Sequence, residues 1–149
     1  MGFEIKTRSD FDRYIKDFNT QNIELYSQWY GDEVCMIIPG KKLDVVGKGP
    51  VTGFFVEGRK HVNEHIYPNH VVLDEGGLAA HVTIYFVPKH DWPASEEFPA
   101  AKLGQAINAQ YIVFYLLDET KRIGKFWAVE AGTKSVVDAW DEIRYTPNN

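Results

Sequence analysis

The second half of the chain contains groups that could do acid/base chemistry. Glu130 follows the apolar residues Phe126-Trp127-Ala128-Val129, and burial among such residues would raise its pKa until the carboxyl group works near neutral pH. Tyr111 and Tyr115 share one face of a predicted strand and could donate hydrogen bonds to an oxygen that gains negative charge. The structural alternatives are an exposed strand end or a salt bridge for Glu130, and packing for the tyrosines.

Histidines form the second group of candidates, because imidazole has the ordinary pKa closest to neutrality. His65 lies near the end of a predicted helix, and His81 lies among apolar residues of a predicted strand. Each could act as a general acid or base. A surface position for His65 and a hydrogen-bonded core position for His81 are the alternatives.

The segment His61-Val62-Asn63-Glu64-His65 matches the H-x-x-E-H pattern of inverted zinc proteases. Two histidines four residues apart on a helix share a face, as zinc ligands must. The pattern is short and arises easily by chance, so a polar helix face or a pair that lines a pocket is the favoured interpretation. Neither Cys35 nor the glycines at 47–53 form a recognisable nucleophile or phosphate loop. We therefore expect no metal and no cofactor.

Composition and charge limit the classes of protein and partner. The chain has 149 residues, 44% hydrophobic and 14% aromatic, with one cysteine and a net charge of −5. This predicts one folded domain over residues 1–149 and excludes disorder and a disulfide scaffold. Scattered basic residues argue against nucleic-acid binding. No apolar run approaches the ~18 residues of a membrane span, and no signal peptide is recognised, so we expect a cytoplasmic protein without a membrane partner.

The apolar pattern predicts helices first and then an antiparallel meander. Two short helices are expected within the first thirty residues, capped at Ser9 and at Asn19-Thr20, and a third over Phe55–Ile66 after a glycine-rich loop. Strands are expected at 34–38, 71–73, 78–87, 105–117 and 123–131, with a polar loop at 89–103 and a C-terminal helix or tail at 133–149. This order indicates an α+β fold with helices on one face of a curved sheet.

Both faces of the predicted strands are rich in apolar residues, which indicates that both are covered. One face would combine His81, Tyr111, Tyr115 and Glu130 with apolar residues, as is typical of a small-molecule site. A slip of one residue in strand register would exchange the two faces. Aromatic residues could line this pocket or simply form the core. Those expected to bind substrate are Tyr14, Tyr26, Trp29, Tyr85 and Phe126.

The order of elements resembles the SnoaL-like branch of the NTF2-like superfamily. The resemblance rests on the Trp29–Val34 junction, on Phe98-Pro99 and Gly104, and on the segments 111–118 and 123–126, and it covers roughly residues 8 to 132. It implies a cone of curved antiparallel sheet, closed by helices around a pocket and commonly dimeric. Tyr111, Tyr115 and Glu130 are similar to a tyrosine pair and a glutamate of some fungal SnoaL-like isomerases.

Two other active sites of the superfamily do not carry over. Ketosteroid isomerases have a carboxylate before a proline at the end of the first strand, where this chain has Ile38 before Pro39. The arginine and two aspartates of limonene-type epoxide hydrolases are not recognisable in the sequence.

The resemblance implies a cofactor-independent enzyme of secondary metabolism that acts on a small hydrophobic natural product. Isomerisation, cyclisation, dehydration and epoxide opening are the reactions to expect, with Glu130 or a histidine as the acid/base group. The alternative is a non-catalytic module of the same fold that binds a small molecule or serves in dimeric assembly. A homodimer is expected in either case.

Overall fold

The computed structural model describes residues 2–38 and 43–138, which form three α-helices, a short 3₁₀-helix and seven β-strands. The helices are α1 (Arg8–Asn19), α2 (Ile23–Tyr26) and α3 (Lys48–Arg59), and the 3₁₀-helix is Ser27–Trp29. The strands are β1 (Tyr30–Ile38), β2 (Leu43–Val46), β3 (Val62–Leu73), β4 (Gly77–Pro88), β5 (Gln105–Leu117), β6 (Ile123–Glu130) and β7 (Ser135–Asp138). The predicted α+β fold class is confirmed.

The strands form one curved, unclosed sheet in the order β2-β1-β6-β5-β4-β3, and β7 pairs with the first residues of β5. Neighbouring strands are antiparallel except β1 and β6, which run parallel. Register shifts interrupt the pairing of β3 near Pro68 and of β5 near Leu117, and such bulges bend a sheet. The curvature gives the sheet a concave inner face, against which the helices pack.

The first helix forms because one of its faces is apolar and its N-terminus is well capped. Phe11, Tyr14, Ile15 and Phe18 are all buried and recur at helical spacing. Thr7 is the N-cap, and its side chain and that of Asp10 form a capping box. The predicted cap at Ser9 is therefore wrong by two residues.

The second helix begins after Asn22, whose side chain accepts a hydrogen bond from the backbone N–H of Glu24. The predicted cap at Asn19-Thr20 is wrong, because Asn19 is the last residue of α1 and its side chain faces β3.

The third helix lies earlier in the chain than predicted. The helix expected over Phe55–Ile66 and the glycine-rich loop expected before it are both wrong, since that glycine-rich segment forms the first half of α3. Pro50 lies in the first helical turn, where a missing N–H costs no hydrogen bond. Val51, Phe55 and Arg59, spaced by four, are its buried residues. The segment that follows is extended, and the strand expected at 71–73 is only the end of β3.

Strand register decides which side chains face the interior. Val82 pairs with Tyr111 and Leu78 pairs with Tyr115, so both tyrosines share the concave face with the main core cluster. His81 pairs with Ile112 and therefore points to the outer face. The predicted grouping of His81 with the two tyrosines is wrong, because the two sets lie on opposite faces of the sheet.

The loop between β4 and β5 agrees with the prediction, whereas the described part of the C-terminal segment differs from it. Residues between β4 and β5 form the expected polar loop, with one isolated bridge between Trp92 and Ala101. Ser135–Asp138 forms β7 where a helix or a tail was expected, and the rest of that prediction lies outside the described residues. Among the described residues, no helix is long and apolar enough to span a membrane.

Candidate functional site

An arginine and a glutamate meet inside the concave face. Arg59, the last residue of α3, has its guanidinium carbon 5.0 Å from the ring centre of Phe18 and 5.6 Å from that of Phe55. Its Nη1 atom lies 3.2 Å from Oε1 of Glu64. Glu64 faces inward because it pairs across the strands with Phe86, a core residue. The two side chains are 10% and 23% exposed respectively, so both are largely buried.

The surroundings of Glu64 favour its protonated form more than water does. Burial raises the pKa of its carboxyl group above the ordinary value, and the charge of Arg59 opposes that rise without cancelling it. A carboxylate with a raised pKa is a stronger base than an exposed glutamate. Glu64 is therefore the inward-facing group best suited to accept a proton.

Several buried hydrogen-bond donors of Arg59 and Tyr26 lack an acceptor among the described residues. Nε and Nη2 of Arg59 and the hydroxyl of Tyr26 are buried without a hydrogen-bond partner among the described residues, and Nη1 has only its ion pair with Glu64. Burial raises the pKa of Tyr26 to about 12, although the charge of Arg59 opposes the rise, so its hydroxyl keeps its proton at neutral pH. Buried donors are nearly always satisfied in native proteins. Buried donors of this kind are suited to an oxygen atom of a ligand.

A second layer of tyrosines extends the polar interior. Burial raises the pKa of Tyr111 to about 12, with further contributions from the negative charges of Glu64 and Glu97. The hydroxyls of Tyr14 and Tyr30 lie 2.8 Å apart, and the ring of Tyr115 lies 5.8 Å from that of Tyr14. Burial raises the pKa of these three phenols as well. All of these hydroxyls therefore remain protonated near neutral pH and can donate hydrogen bonds.

Glu130 lies at the open end of the concave face. It pairs across the strands with Tyr111, but its side chain is 56% exposed and forms an ion pair with Lys134. The Lys134 ammonium lies 4.8 Å from the ring centre of Phe98. An open cavity of about 380 Å³ is lined here by residues 94–99, Glu130 and residues 132–134. The position of Glu130 is therefore the exposed, ion-paired one that the sequence analysis gave as the structural alternative.

The two candidate histidines lie on the outer face of the sheet, away from Glu64. His65 pairs across the strands with Tyr85. Burial lowers the pKa of its imidazole, and the charge of Arg59 adds to this effect. Its Nδ1 atom is buried and has no hydrogen-bond partner in the part of the chain that the structure describes. Nε2 of His81 lies 3.1 Å from the side-chain oxygen of Gln110, and its ring stacks on that of His70. Neither imidazole shares a face with the Arg59–Glu64 pair.

The residues expected to bind substrate are divided between two clusters. Tyr14, Tyr26 and Phe126 belong to the inward-facing core, and Phe126 stacks on the rings of Tyr30 and Phe55. Trp29 belongs to the same core cluster, where it is fully buried and its Nε1–H donates to Asp17 at 2.8 Å. Tyr85 packs with Tyr67 and Ala106 in a separate cluster on the outer face.

The zinc pattern does not form, because its residues are extended. His61 precedes β3 and His65 lies within it, so the two are separated by about 13 Å of extended chain. The described residues contain no group of three or more metal-ligating side chains. The residue of this motif that reaches the interior is Glu64, and its position five residues after Arg59 was the sequence signal for the pair.

Two side-chain amides fix the strand that carries Glu64. Asn19 donates to the carbonyl of Ile66 at 2.9 Å and accepts from its N–H at 2.7 Å. Gln21 donates to the carbonyl of Glu64 at 2.6 Å and accepts from its N–H at 3.1 Å. Since β3 is an edge strand, its outer N–H and C=O groups lack a neighbouring strand, and these amides take its place.

Asn19→Ala is expected to destabilise the fold by about 2–3 kcal/mol, because the buried N–H and carbonyl of Ile66 would both lose their partner. Urea denaturation measures the loss. Asn22→Ala is the matched control, since that exposed amide caps only the short α2 and its loss is expected to cost about 1 kcal/mol or less. Equal losses of stability in the two variants would contradict a larger contribution from the hydrogen bonds of Asn19 to Ile66.

Comparisons with known proteins support the fold. No family model and no curated protein matches the sequence. A SnoaL-like polyketide cyclase from Agrobacterium tumefaciens has a TM-score of 0.63 and 18% identity, covering 94% of this chain and 98% of its own. SalBIII, an epoxide hydrolase/cyclase-like enzyme in pyran ring formation in the polyether salinomycin, has a TM-score of 0.64 and 10% identity, covering 86% and 92%.

An LEH-like epoxide hydrolase from Mycobacterium tuberculosis has a TM-score of 0.63 and 8% identity, covering 81% of this chain and 79% of its own. These identities are too low to carry over a reaction, but the shared architecture extends over most of each chain. The chain therefore has the fold of the SnoaL-like branch of the NTF2-like superfamily.

Proposed function

We propose that this chain is a cofactor-independent acid/base enzyme that acts on a small hydrophobic molecule bearing an oxygen function. The observation that carries the proposal is the buried Arg59–Glu64 pair, which combines a proton acceptor with unsatisfied donors inside an aromatic interior. We assign the acid/base role to Glu64 rather than to Glu130, because Glu130 is exposed and ion-paired at the open end, or mouth, of the concave face.

Each group has a distinct role in the proposed chemistry. Arg59 and the Tyr26 hydroxyl hold a substrate oxygen and stabilise negative charge as it develops there. Glu64 removes a proton from a carbon or a hydroxyl of the substrate, and returns it to a second atom in an isomerisation. Tyr111 donates a hydrogen bond from the side nearer the mouth. The rings of Phe18, Phe55 and Phe126 supply an apolar wall.

The named activities of the structural neighbours make cyclisation or isomerisation the preferred reaction class. SalBIII takes part in pyran ring formation, and the other two are a polyketide cyclase and an epoxide hydrolase. In a ring closure on an epoxide, Glu64 would take the proton of the attacking hydroxyl as its oxygen bonds to an epoxide carbon. The bond from that carbon to the epoxide oxygen breaks, and this oxygen, held by Arg59 and Tyr26, receives the proton back from Glu64. No redox partner is needed, since proton transfers alone balance either reaction.

The direct test is to incubate the purified chain with a hydrophobic metabolite extract of its source and to follow every mass and retention time. The expected result is one compound converted to a product of equal mass, because isomerisation and ring closure change no atoms. Boiled protein is the control. A compound that is bound but recovered unchanged would contradict catalysis and favour the non-catalytic module.

One observation favours that second candidate. The inner aromatic rings are closely packed, with Phe55 and Phe126 stacked at 6.2 Å and 8° and Tyr30 stacked on Phe126 at 5.6 Å. A module that serves only in assembly would keep this interior closed to any ligand. Quenching of intrinsic tyrosine and tryptophan fluorescence by a bound compound separates the two candidates, because a closed interior gives no change.

The expected homodimer stays a proposal, supported by apolar side chains exposed on the outer face of the sheet. Ile112, Leu116 and Val129 are 39%, 44% and 44% exposed on neighbouring strands β5 and β6. An apolar patch of this kind is typical of a surface that another chain covers. Light scattering is expected to give twice the mass of 17.1 kDa, and a mass of one chain would contradict the proposal.

A further inference from the structure

A pair of exposed histidines lies where β3 begins and β4 has ended. Nδ1 of His61 is 3.0 Å from Nε2 of His90, and the two rings are nearly perpendicular with their centres 5.2 Å apart. This pair is on the surface, separate from the Arg59–Glu64 site. His61 belongs to the H-x-x-E-H segment, but its partner in the fold is on the loop after β4 rather than at His65.

The backbone holds these two side chains together. Val62 pairs with Pro88 at the end of the β3–β4 ladder, and the N–H of Lys89 donates to the carbonyl of His61 at 2.8 Å. The ladder thus continues one step beyond the strands, and both histidines are attached to it. A site on paired backbones needs little ordering when it binds a ligand, which favours affinity.

The hydrogen bond on the other side of His90 prepares its ring to bind a metal ion. Nδ1 of His90 lies 3.0 Å from the carbonyl oxygen of Asp91, and a carbonyl can only accept, so Nδ1 carries the proton. Nε2 then has a lone pair, which accepts a hydrogen bond from the Nδ1–H of His61. Metal-ligating histidines usually donate their second N–H to a carbonyl or carboxylate in this way, which fixes the tautomer and the ring.

We propose that His61 and His90 form a two-histidine site for a divalent late transition-metal ion, with water completing the coordination. His61 binds through Nδ1 after its proton moves to Nε2, and His90 binds through Nε2. The inference does not depend on the function proposed above.

The spacing of the two nitrogens also indicates which ion fits. Two nitrogens 3.0 Å apart, each ~2.0–2.1 Å from one ion, subtend roughly 90–95° at that ion. That is the angle between neighbouring ligands in a tetragonal complex, the geometry of Cu²⁺ and Ni²⁺, and it is smaller than the tetrahedral angle that Zn²⁺ prefers. Cu²⁺ also binds imidazole sites more tightly than the other two ions, so we expect it to bind most tightly.

An ion at this place would connect two functional parts of the molecule. His61 lies three residues before Glu64, and His90 lies at the start of the loop that carries Phe98. The Phe98 ring contacts Phe86 at 5.1 Å and the Lys134 ammonium at 4.8 Å, both beside the mouth. Cross-linking by the ion would therefore fasten the start of the loop to β3.

The test uses the full chain without an affinity tag, titrated with Cu²⁺ by calorimetry and examined by electron paramagnetic resonance. One equivalent is expected to bind, with hyperfine structure from two imidazole nitrogens. His61→Gln and His90→Gln are each expected to weaken Cu²⁺ binding at least ~10-fold, since even the loss of an outer-shell partner weakens metal sites by that factor. Both residues are exposed, so circular dichroism should show intact folding.

The chain offers a matched control in its other histidine pair. His70 and His81 stack in parallel with ring centres 6.0 Å apart, and Nε2 of His81 faces Gln110, so these rings do not converge on one ion. His70→Gln is expected to leave Cu²⁺ affinity unchanged. The proposal is overturned if Cu²⁺ does not bind, if binding survives both His61→Gln and His90→Gln, or if His70→Gln abolishes it.

Discussion

Glu64→Gln is expected to lower kcat about 10²–10⁴-fold, the range that one general acid/base group contributes, and to change substrate affinity only a few fold. Glutamine keeps the size and the acceptor oxygen of glutamate but cannot take up a proton. The donors assigned to bind substrate, on Arg59 and Tyr26, remain in place. Steady-state kinetics on the converted compound, with calorimetry for binding, measures both effects.

Glu130→Gln is the matched control for this prediction. It makes the same chemical change on the same concave face, at a carboxylate that is 56% exposed and paired with Lys134. We expect its kcat to stay within about two-fold of the wild type, since rim-exposed ion pairs contribute little. The reverse result, with Glu130→Gln inactive and Glu64→Gln active, would return the acid/base role to the mouth of the cone.

The pH dependence of the reaction gives a second measure of the same group. Burial raises the pKa of Glu64 above its ordinary value of 4.5, so the acidic limb of kcat/KM should lie above that value. Activity rises as the carboxylate forms, because the base is its ionised form. The limb should be absent from the residual activity of Glu64→Gln; a limb that persists there would belong to another residue.

Local sequence patterns predicted those helices and strands in which the spacing of apolar residues follows a single clear pattern. The helical spacing of Phe11, Tyr14, Ile15 and Phe18 predicted α1, and the long apolar runs predicted β4, β5 and β6. The third helix was misplaced because its first half contains a proline and glycines, which usually indicate a loop. In the fold, that proline occupies the first turn and Val51, Phe55 and Arg59 still give α3 a buried stripe, so tertiary packing decided the outcome.

Only part of the candidate site could be predicted, because contacts between segments far apart in the sequence bring some of its residues together. Tyr111 and Tyr115 were identified because they share a strand face, which is a local property. Glu64 faces inward because it pairs with Phe86 of β4, and Asn19 and Gln21, more than forty residues away, hold the edge of β3 in place. Arg59 reaches it only because α3 ends where β3 begins. The first relation leaves no pattern within a sequence window, and the second leaves only the short spacing between Arg59 and Glu64.

Arg59→Met is expected to lower the free energy of unfolding by about 3 kcal/mol at neutral pH, the lower end of the cost of breaking a buried ion pair. Methionine fills much of the space between Phe18 and Phe55 but leaves the Glu64 carboxylate without its cation. Glu64→Gln combined with Arg59→Met removes both charges, and we expect this double variant to recover most of the loss, since neutral replacements of buried pairs are tolerated.

The stability of Arg59→Met should also depend on pH in a defined direction. Arg59 opposes the rise that burial causes in the pKa of Glu64, so without it that pKa rises further above the unfolded value near 4.5. A folded pKa above the unfolded one gives stability that is complete below about pH 4.5 and is lost as pH rises through the folded pKa. Urea denaturation across this range should show that the free energy of unfolding of Arg59→Met falls more steeply with rising pH than that of the wild type. In the double variant, Glu64 is replaced and should contribute no such fall. If Arg59→Met were as stable at pH 7 as at pH 4, Glu64 would not depend on Arg59, and the pairing on which the proposed site rests would be refuted.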